Sequence, residues 1–196
     1  GIQPRLLRNT DFLRLGGEVE EQFEDWIRNA SPLELAGLLD APSLRLLGDA
    51  FVTVGGCEGT IWLLDSEEKH LVAVYNSGSD AEHLIGFEQP VGTGIISMVY
   101  SQQQPYCENE IGASGRHDDT LDRQMRKRTS AMIAVPCYFA FGLRGVISCV
   151  QLEGEKAPQR GFSSADTAEL TRVAIIVERL INESLLSSAL GLNDVG

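Results

Sequence analysis

The sequence predicts an α+β domain in which helices near both ends accompany a central antiparallel sheet. Helical periodicity in the opening third, β-branched runs in the middle and helical periodicity again at the end support this. The chain has 196 residues, which suits one domain with an extension, since domains average about 150 residues. We expect a helical extension over 1–32, the main domain over 33–190 and a tail over 191–196.

The first predicted helix covers residues 18–30, where apolar residues follow one stripe and acidic residues occupy the other faces. The stripe consists of Val19, Phe23, Trp26, Ile27 and Ala30. Gly16 and Gly17 are expected to end a short turn just before this helix.

Further helices are predicted after residue 30. The sequence Ser-Pro-Leu-Glu at 31–34 is typical of a capping box with proline at the first helical position, and it begins a Leu-rich helix. A helical run over 43–54 follows. The long final helix is predicted over 163–190, ending before Gly191, and its apolar face is wide enough to cover a sheet and leave a second seam.

The strands are predicted between these helices. Runs at 60–64 and 71–75 surround a polar turn and indicate a hairpin, and 105–107 indicates a short edge strand. The two strongest strands are predicted at 130–138 and 144–152. The polar stretch 112–128 is long for a connection, and such segments are often functional.

Composition excludes several classes of function. The net charge of −12 argues against nucleic-acid partners and against anionic membrane surfaces, which both require clustered Lys and Arg. Cys57, Cys107, Cys137 and Cys149 form no CxxC pair and are expected to be reduced thiols of a cytoplasmic protein. No apolar run is long enough to span a membrane. The chain begins with Gly1 rather than Met, which suggests an excised fragment whose effector lies elsewhere.

Three motifs, in order, resemble those of the GAF domain family. VGTGIISMVYSQQQPYCENE resembles the stretch in which a glycine pair opens a helix and a proline leads into a short strand. RTSAMIAVPCYFAFGLRGVISCVQLEG resembles the paired strands, with Ser130, Pro136 and Gly145 in the expected places. FSSAD resembles the start of the last helix. The resemblance covers roughly residues 33–188.

This resemblance implies a sheet of five or six strands with the terminal helices on one face, where they pack as a dimer. It implies a pocket on the other face, roofed by the variable insert. GAF domains are mostly regulatory modules, so we expect a non-catalytic sensor that binds an unknown small molecule and relays the signal to a downstream effector. No cofactor is identified.

Candidate site residues follow from the same picture. Apolar strand positions and polar residues near the insert are expected to contact the ligand, which would be small and largely apolar or planar. These are Trp62, Tyr75, Cys107, Glu108, Asp119, Arg128, Ser130 and Ile133. Residues expected in the dimer helices are Phe23, Trp26, Leu170, Val173, Val177 and Leu180.

Other functions remain open. The chain matches only part of the motif of cyclic-nucleotide-binding GAF domains. Phe162 and Asp166 agree, but Gln151 or a neighbour stands at the Asn position, Lys156 lies in a loop, and Thr167 replaces a Glu. Free methionine sulfoxide reductases of the GAF type carry cysteines where this chain has Ile95 or Ile96 and residues 126–129. A metal site around His117 is disfavoured, because adjacent positions rarely point at one ion. A ligand-free dimerisation platform is the main alternative.

Overall fold

The computed structural model describes residues 9–125, 127–154 and 160–189. The helices in this part of the chain are α1 (Asn9–Asn29), α2 (Pro32–Ala36), α3 (Ala41–Thr53), α4 (Ala81–Leu84), α5 (Gly94–Gln102), α6 (Ile111–Ser114), α7 (Thr120–Met125) and α8 (Ser164–Ala189). The strands are β1 (Glu58–Leu64), β2 (His70–Asn76), β3 (Glu88–Pro90), β4 (Tyr106–Glu108), β5 (Thr129–Phe139) and β6 (Gly142–Leu152).

The strands form one antiparallel six-stranded sheet in the order β3-β2-β1-β6-β5-β4. The long β5–β6 hairpin and β1 occupy the centre, and the three-residue strands β3 and β4 lie at the two edges. The predicted α+β class and the central antiparallel sheet are confirmed. The predicted hairpin corresponds to β1 and β2, and the predicted edge strand corresponds to β4.

Local sequence signals set several helix ends. The Glu34 carboxylate accepts a hydrogen bond from Ser31 N–H at 2.7 Å, and Ser31 Oγ accepts one from Glu34 N–H at 3.3 Å. This is the predicted capping box, although α2 ends after five residues. Asp40 caps α3 by accepting a hydrogen bond from Ser43 N–H at 2.8 Å. Each acceptor satisfies an N–H group that the first helical turn leaves unpaired.

Two features differ from the sequence prediction. Gly16 and Gly17 do not end a turn, because α1 runs through both of them. The strand β3 and the short helix α4 were not predicted, since three- and four-residue elements carry almost no periodic signal.

One face of the sheet packs against the terminal helices α1 and α8 and against α2 and α3. Its core is apolar and includes Phe51 of α3, Ile133 of β5, Ile147 of β6 and Leu170 of α8. Burying these side chains stabilises the fold by about 25 cal/mol for each Å² of apolar surface removed from water. We call this side of the sheet the helix face.

The opposite side carries a smaller apolar cluster. Trp62 of β1, Leu71 of β2, Met132 of β5 and Val99 of α5 belong to it. The segment 111–125, which contains α6 and α7, covers part of this side, and we call that segment the roof. We call this side of the sheet the pocket face.

An irregularity in the β1–β2 pairing places Tyr75 on the helix face of the sheet. The register shifts between Ile61 and Trp62, so that Ile61 opposes Tyr75 but Trp62 opposes Ala73. Because this bulge interrupts the period-two alternation, Leu71 and Ala73 face the pocket side while Tyr75 packs against the helix-face core.

The predicted boundary at residue 32 stays a prediction, although Val19 and Phe23 of α1 belong to the same core as α3 and α8. The tail over 191–196, the predicted helix end at Leu190 and Arg126 of the polar stretch lie outside the described residues.

Candidate functional site

A roofed pocket lies between the pocket face, α4, the start of α5 and the roof. Its floor comes from β1, β5 and β6, and its cover comes from the turn before α7 and from α7 itself. The lining residues are Glu58, Thr60, Trp62, Leu84, Gln89, Gly94, Ile95, Ile96, His117, Asp118, Leu121, Asp122, Lys127, Thr129, Met132, Ser148, Val150 and Leu152. Half of its lining is polar or charged, in contrast to the helix face.

An ion pair belongs to the lining of the pocket. Lys127 Nζ lies 2.9 Å from Glu58 Oε2 and 3.3 Å from Asp80 Oδ2. The side chains of Lys127 and Glu58 are 21% and 10% exposed, so this pair is largely shielded from water. Burial acts to lower the pKa of the Lys127 ammonium, but hydrogen bonds and charges from Glu58 and Asp80 outweigh it and raise the pKa.

A second polar cluster joins the roof to β5. Asp122 accepts hydrogen bonds from Thr129 N–H at 2.8 Å and from Thr129 Oγ1 at 2.9 Å, and its Oδ2 lies 3.2 Å from His117 Nε2. Burial acts to raise the pKa of Asp122, but the hydrogen bonds from His117 and Thr129 outweigh it and lower the pKa. This carboxylate therefore holds α7 against the start of β5 in its ionised form.

Asp118 connects the roof to β3 and α5. It accepts hydrogen bonds from Thr120 Oγ1 at 2.6 Å, Thr120 N–H at 3.0 Å and Gln89 Nε2 at 3.0 Å. These hydrogen bonds lower the pKa of the Asp118 carboxyl. Gly94 has a φ of +80°, and a Cβ at this position would lie 3.1 Å from Asp118 Cβ. The second glycine of the GxG turn thus permits the close approach of the roof.

The floor of the pocket is also polar. Trp62 Nε1 donates a hydrogen bond to Ser148 Oγ at 2.9 Å, and Thr60 Oγ1 accepts one from Asn76 Nδ2 at 3.0 Å. All four residues are buried. Within the described residues, no buried side-chain nitrogen or oxygen lacks a hydrogen-bond partner.

The free space enclosed by this pocket is about 50 Å³. Pockets for drug-sized ligands typically have about 300–1,000 Å³. A metabolite larger than a few atoms therefore requires the roof to move away from the floor.

Of the predicted ligand-contact residues, Trp62 lines this pocket and seven do not. Ile133 is fully buried on the helix face, and Tyr75 lies on that face because of the β1–β2 bulge. Cys107 pairs with Ile133 across the β4–β5 ladder, and it therefore faces the helices as well.

The remaining four predicted residues do not line the pocket either. Asp119 is exposed and lies 2.8 Å from Arg123, and Arg128 is exposed and pairs with Glu153 at 3.5 Å. Ser130 Oγ donates a hydrogen bond to the Gln151 carbonyl at 3.1 Å. Glu108 accepts hydrogen bonds from Tyr106 Oη at 3.2 Å and from Glu110 N–H at 3.1 Å.

Sequence reasoning missed the charged floor and cover of the pocket. Glu58, Gln89 and Lys127 were not singled out as ligand contacts. A usable signal existed in β1, where Glu58 and Thr60 stand at alternating positions, and in β6, where Ser148 interrupts the apolar run of residues 146–150. Polar residues buried on one side of a central strand indicate a polar cavity there.

Most residues predicted for a dimer seam belong to the chain's own core. Phe23, Leu170, Val173 and Val177 are at most 8% exposed and pack on the helix face. Trp26 and Leu180 are about 40% exposed (41% and 40%) and are available to a partner. Leu170, Val173 and Val177 are not accessible to a partner chain, because the sheet covers the centre of the wide apolar face of α8.

Side-chain amides hold the start of α8. Asn109 Nδ2 donates to the Phe162 carbonyl at 2.8 Å, and Asn109 Oδ1 accepts from Phe162 N–H at 2.7 Å. Gln151 Oε1 accepts from Gly161 N–H at 3.0 Å. Phe162 and Asp166, the matches to the cyclic-nucleotide motif, thus lie beside the helix-face core and at the α8 cap rather than in the pocket. Lys156, weighed for the same motif, lies outside the described residues.

None of the four cysteines, all of which are described, lines the pocket. Cys137 and Cys149 are buried in the helix-face core, and desolvation raises the pKa of each thiol to about 12. Burial raises the pKa of the Cys107 thiol as well. Cys57 is exposed.

Among the described residues, no group of three His, Cys, Asp or Glu side chains is placed to hold a metal ion. Within the same ranges, no helix has both the length and the apolar character of a membrane span.

Comparison with known proteins identifies the fold. No protein-family model matches the chain, and a search of curated proteins found no match. Solved structures of GAF domains do match. The GAF-B domain of DevS from Mycobacterium smegmatis aligns with a TM-score of 0.58 at 16% identity, over 76% of this chain and 98% of that one.

Two further structures extend the comparison. The GAF domain of a phosphoenolpyruvate-protein phosphotransferase from Coxiella burnetii has a TM-score of 0.58 at 18% identity, over 89% of this chain and 95% of that one. The free methionine-R-sulfoxide reductase from Neisseria meningitidis, solved with its substrate, has a TM-score of 0.54 at 17% identity, over 96% and 98%. The chain therefore has the GAF fold, which both regulatory domains and enzymes use.

Proposed function

We propose that this GAF-fold chain is a non-catalytic regulatory domain that binds a small molecule in the roofed pocket and relays binding through its terminal helices. The observation that carries the proposal is the polar lining of the pocket. Glu58, Lys127 and Asp122 are charged residues shielded from water on one side of the sheet, whereas the other side is apolar. Burying charges costs more free energy than burying apolar residues, so their placement favours a role in recognition.

The lining residues also indicate the chemical class of the ligand. Its polar groups and Trp62 together suit a small molecule with hydrogen-bonding groups and a flat or apolar part, and the enclosed space of about 50 Å³ requires the roof to open for it. A ligand that orders the roof differently would change the population of roof conformations. This modifies our expectation of a largely apolar ligand.

Asn109 supplies a path from the roof to the output helix. It lies between β4 and α6, and its amide pairs with both the N–H and the carbonyl of Phe162, two residues before α8. Displacement of the roof at its α6 end therefore pulls on the start of α8. In this proposal α8 passes the change to a downstream effector in the cytoplasm.

The cysteines support a non-catalytic role. A GAF-type sulfoxide reductase needs a thiol beside the substrate, and no cysteine lines this pocket. The raised pKa of Cys107, Cys137 and Cys149, caused by burial, also disfavours the thiolate, which is the reactive form.

A second candidate, the ligand-free dimerisation platform, is favoured by a different observation. The enclosed space is small, and the buried polar side chains of the described residues already have partners. A platform needs no opening of the roof, whereas a sensor does.

Native mass spectrometry of the protein as purified, compared with its denatured mass, separates these functions. A sensor is expected to retain an extra mass of a few hundred daltons. Thermal-shift measurements with the twenty amino acids, methionine sulfoxide, cyclic AMP and cyclic GMP then test defined ligands. No retained mass and no stabilisation by any of these compounds would favour the platform.

The matched variants replace two ion pairs of this chain. Glu58→Gln with Lys127→Met removes the pocket pair, and Asp80, the other carboxylate beside Lys127, has a side chain that is 49% exposed to water. Glu67→Gln with Lys69→Met removes an exposed pair of 2.6 Å outside the pocket. The pocket variant is expected to lose the retained mass or the thermal shift, and the control is expected to keep it. Equal behaviour of both variants would contradict binding in this pocket.

A further inference from the structure

The carboxylates that line the roofed pocket differ in how their oxygens are used. Both oxygens of Asp118 and both oxygens of Asp122 accept hydrogen bonds. Glu58 Oε2 accepts a hydrogen bond from Lys127 Nζ at 2.9 Å, whereas Glu58 Oε1 accepts none from the part of the chain that the structure describes. Because the fully enclosed side-chain oxygens of that part all have partners, Oε1 is reachable by a small molecule.

The environment of Glu58 favours a charged hydrogen-bond donor at this free oxygen. The Glu58 side chain is only 10% exposed, so little water competes for it. A charge-assisted hydrogen bond is stronger where the surroundings have a low dielectric constant. Of the described carboxylates in the lining, Glu58 is therefore the one at which a ligand gains most.

The present partner of Glu58 can leave without a change in the backbone. Lys127 carries its ammonium on a flexible four-carbon stem, and Asp80 Oδ2, 3.3 Å from Nζ, offers it a second partner that is 49% exposed. By contrast, Asp122 is held by the backbone N–H of Thr129, which cannot leave unless the roof separates from β5. Lys127 thus acts as a tethered cation that a free one can replace.

The charges around Glu58 select a cation. The described lining carries the carboxylates of Glu58, Asp118 and Asp122 against the ammonium of Lys127, and His117 already contacts Asp122 at 3.2 Å. The chain as a whole has a net charge of −12. A cation is therefore attracted both at the site and from a distance, whereas an anion is repelled.

Strand β1 indicates the shape of the rest of the ligand. Glu58 and Trp62 lie on the same face of this strand, and four residues at about 3.3 Å each place their Cα atoms roughly 13 Å apart. The pocket is also lined by Leu84, Ile96 and Met132. An ammonium at Glu58 therefore leaves an attached hydrocarbon or aromatic group among apolar side chains.

We propose that the ligand of the roofed pocket is a primary organic amine, and that its ammonium group takes the place of Lys127 on Glu58. The inference rests on the proposed sensor function and names the chemical class of the ligand. Without ligand, Lys127 ties the segment between α7 and β5 to the start of β1. Binding of the amine releases this contact, so filling the pocket and freeing one end of the roof are a single event.

Compounds that differ only in charge test the ligand class. Isothermal titration calorimetry of the unmodified full chain compares phenethylamine with phenethyl alcohol and hydrocinnamate, and the amine is expected to bind at least about tenfold more tightly than either. Butylamine with butanol, and tryptamine with tryptophol, repeat the comparison for a smaller and a larger body. No amine binding, or no preference for the amine in any of these pairs, would overturn the proposal.

Phenylalanine separates an amine site from an amino-acid site. It carries the same ammonium and ring as phenethylamine but adds a carboxylate, which the acidic lining disfavours. We expect it to bind more weakly than phenethylamine. Tighter binding of the amino acid would contradict the proposal.

Two variants of the ion pair are expected to change amine affinity in opposite directions. Lys127→Met removes the competing ammonium and should tighten phenethylamine binding at least about tenfold. Glu58→Gln should weaken it by at least about the same factor. Lys69→Met, in the exposed pair with Glu67, should leave it unchanged.

Weaker amine binding in Lys127→Met would overturn the replacement of Lys127. Lys127→Gln, which keeps a donor for Glu58 without the charge, should also bind the amine more tightly and serves where the Met variant does not fold. Failure here is distinct from failure of the sensor function. Binding of an alcohol or an acid in preference to the amines, or a retained molecule without a basic group, would leave the sensor function standing and remove the amine.

Discussion

The two faces of one sheet provide two different environments in this protein. On the helix face, Ile133 and Ile147 pack with Phe51 and Leu170 in an apolar core. On the pocket face, the neighbouring positions of the same strands contribute Met132 and Ser148 to a pocket whose lining is half polar. Because side chains alternate along a strand, a single set of strands can supply stability to one side and recognition to the other.

The comparison also indicates where the stability of the fold resides. Apolar packing on the helix face contributes favourable free energy directly. A shielded ion pair such as Lys127–Glu58 contributes little net stability, because desolvation offsets the attraction between the charges. The pocket face is therefore expected to be the weaker half of the molecule.

The largest expected effect comes from adjacent truncations on opposite faces. Ile133→Ala should lower the free energy of unfolding by about 3 kcal/mol, because it leaves a cavity in a fully packed core. Met132→Ala should cost about 2 kcal/mol, since the roof beside it can adjust. Urea unfolding of both variants measures the difference. A Met132→Ala cost equal to or above that of Ile133→Ala would contradict the comparison.

An intermediate effect is expected at the ion pair. Lys127→Met should destabilise the fold by about 2 kcal/mol, because Glu58 is left shielded without its partner. The double variant Glu58→Gln with Lys127→Met should recover at least half of this loss. Chemical unfolding gives both values, with Glu67→Gln and Lys69→Met as an exposed control expected to change stability by less than about 0.5 kcal/mol. No recovery in the double variant would mean that Lys127 acts through packing rather than through charge.

The smallest effect is a pH dependence on the pocket face. Hydrogen bonds keep the pKa of folded Asp122 below its unfolded value, so its contribution to stability is present above the unfolded pKa of about 3.9 and lost as the pH falls through the folded pKa. Asp122→Asn carries no such dependence. The difference in urea midpoint between wild type and Asp122→Asn should therefore be largest at pH 7 and shrink at pH 3.

The matched control for this pH dependence is Asp119→Asn, at an exposed position on the same roof. It should change the urea midpoint little at any pH. A constant difference for Asp122→Asn from pH 7 to pH 3 would show that its carboxylate does not stabilise the roof.

The fold was predicted well from the sequence because most of it is built from long helices and strands, whose apolar residues recur periodically. The long final helix, the β5–β6 strands and the capping box at Ser31 were all readable from spacing and residue type. The fold comparison with solved GAF domains agrees with the motif resemblance.

The residues that line the pocket were predicted less well, and several predicted residues lie one position away from the residue that lines it. Asp118 and not Asp119, Lys127 and not Arg128, and Met132 and not Ile133 line it. In a strand, a shift of one residue moves a side chain to the other face, and sequence alone did not tell which face carried the pocket. The bulge in the β1–β2 pairing puts Tyr75 on the helix face, and such a bulge has no periodic pattern in the sequence.

The two edges of the sheet have a consequence for handling this protein in solution. Each edge strand has only three residues, and Pro90 ends one of them while Pro105 precedes the other. Short edges next to proline offer few free backbone groups for pairing with a strand of another molecule. Association at high concentration should therefore occur through side chains on the helices, and concentrated samples should resist fibril formation.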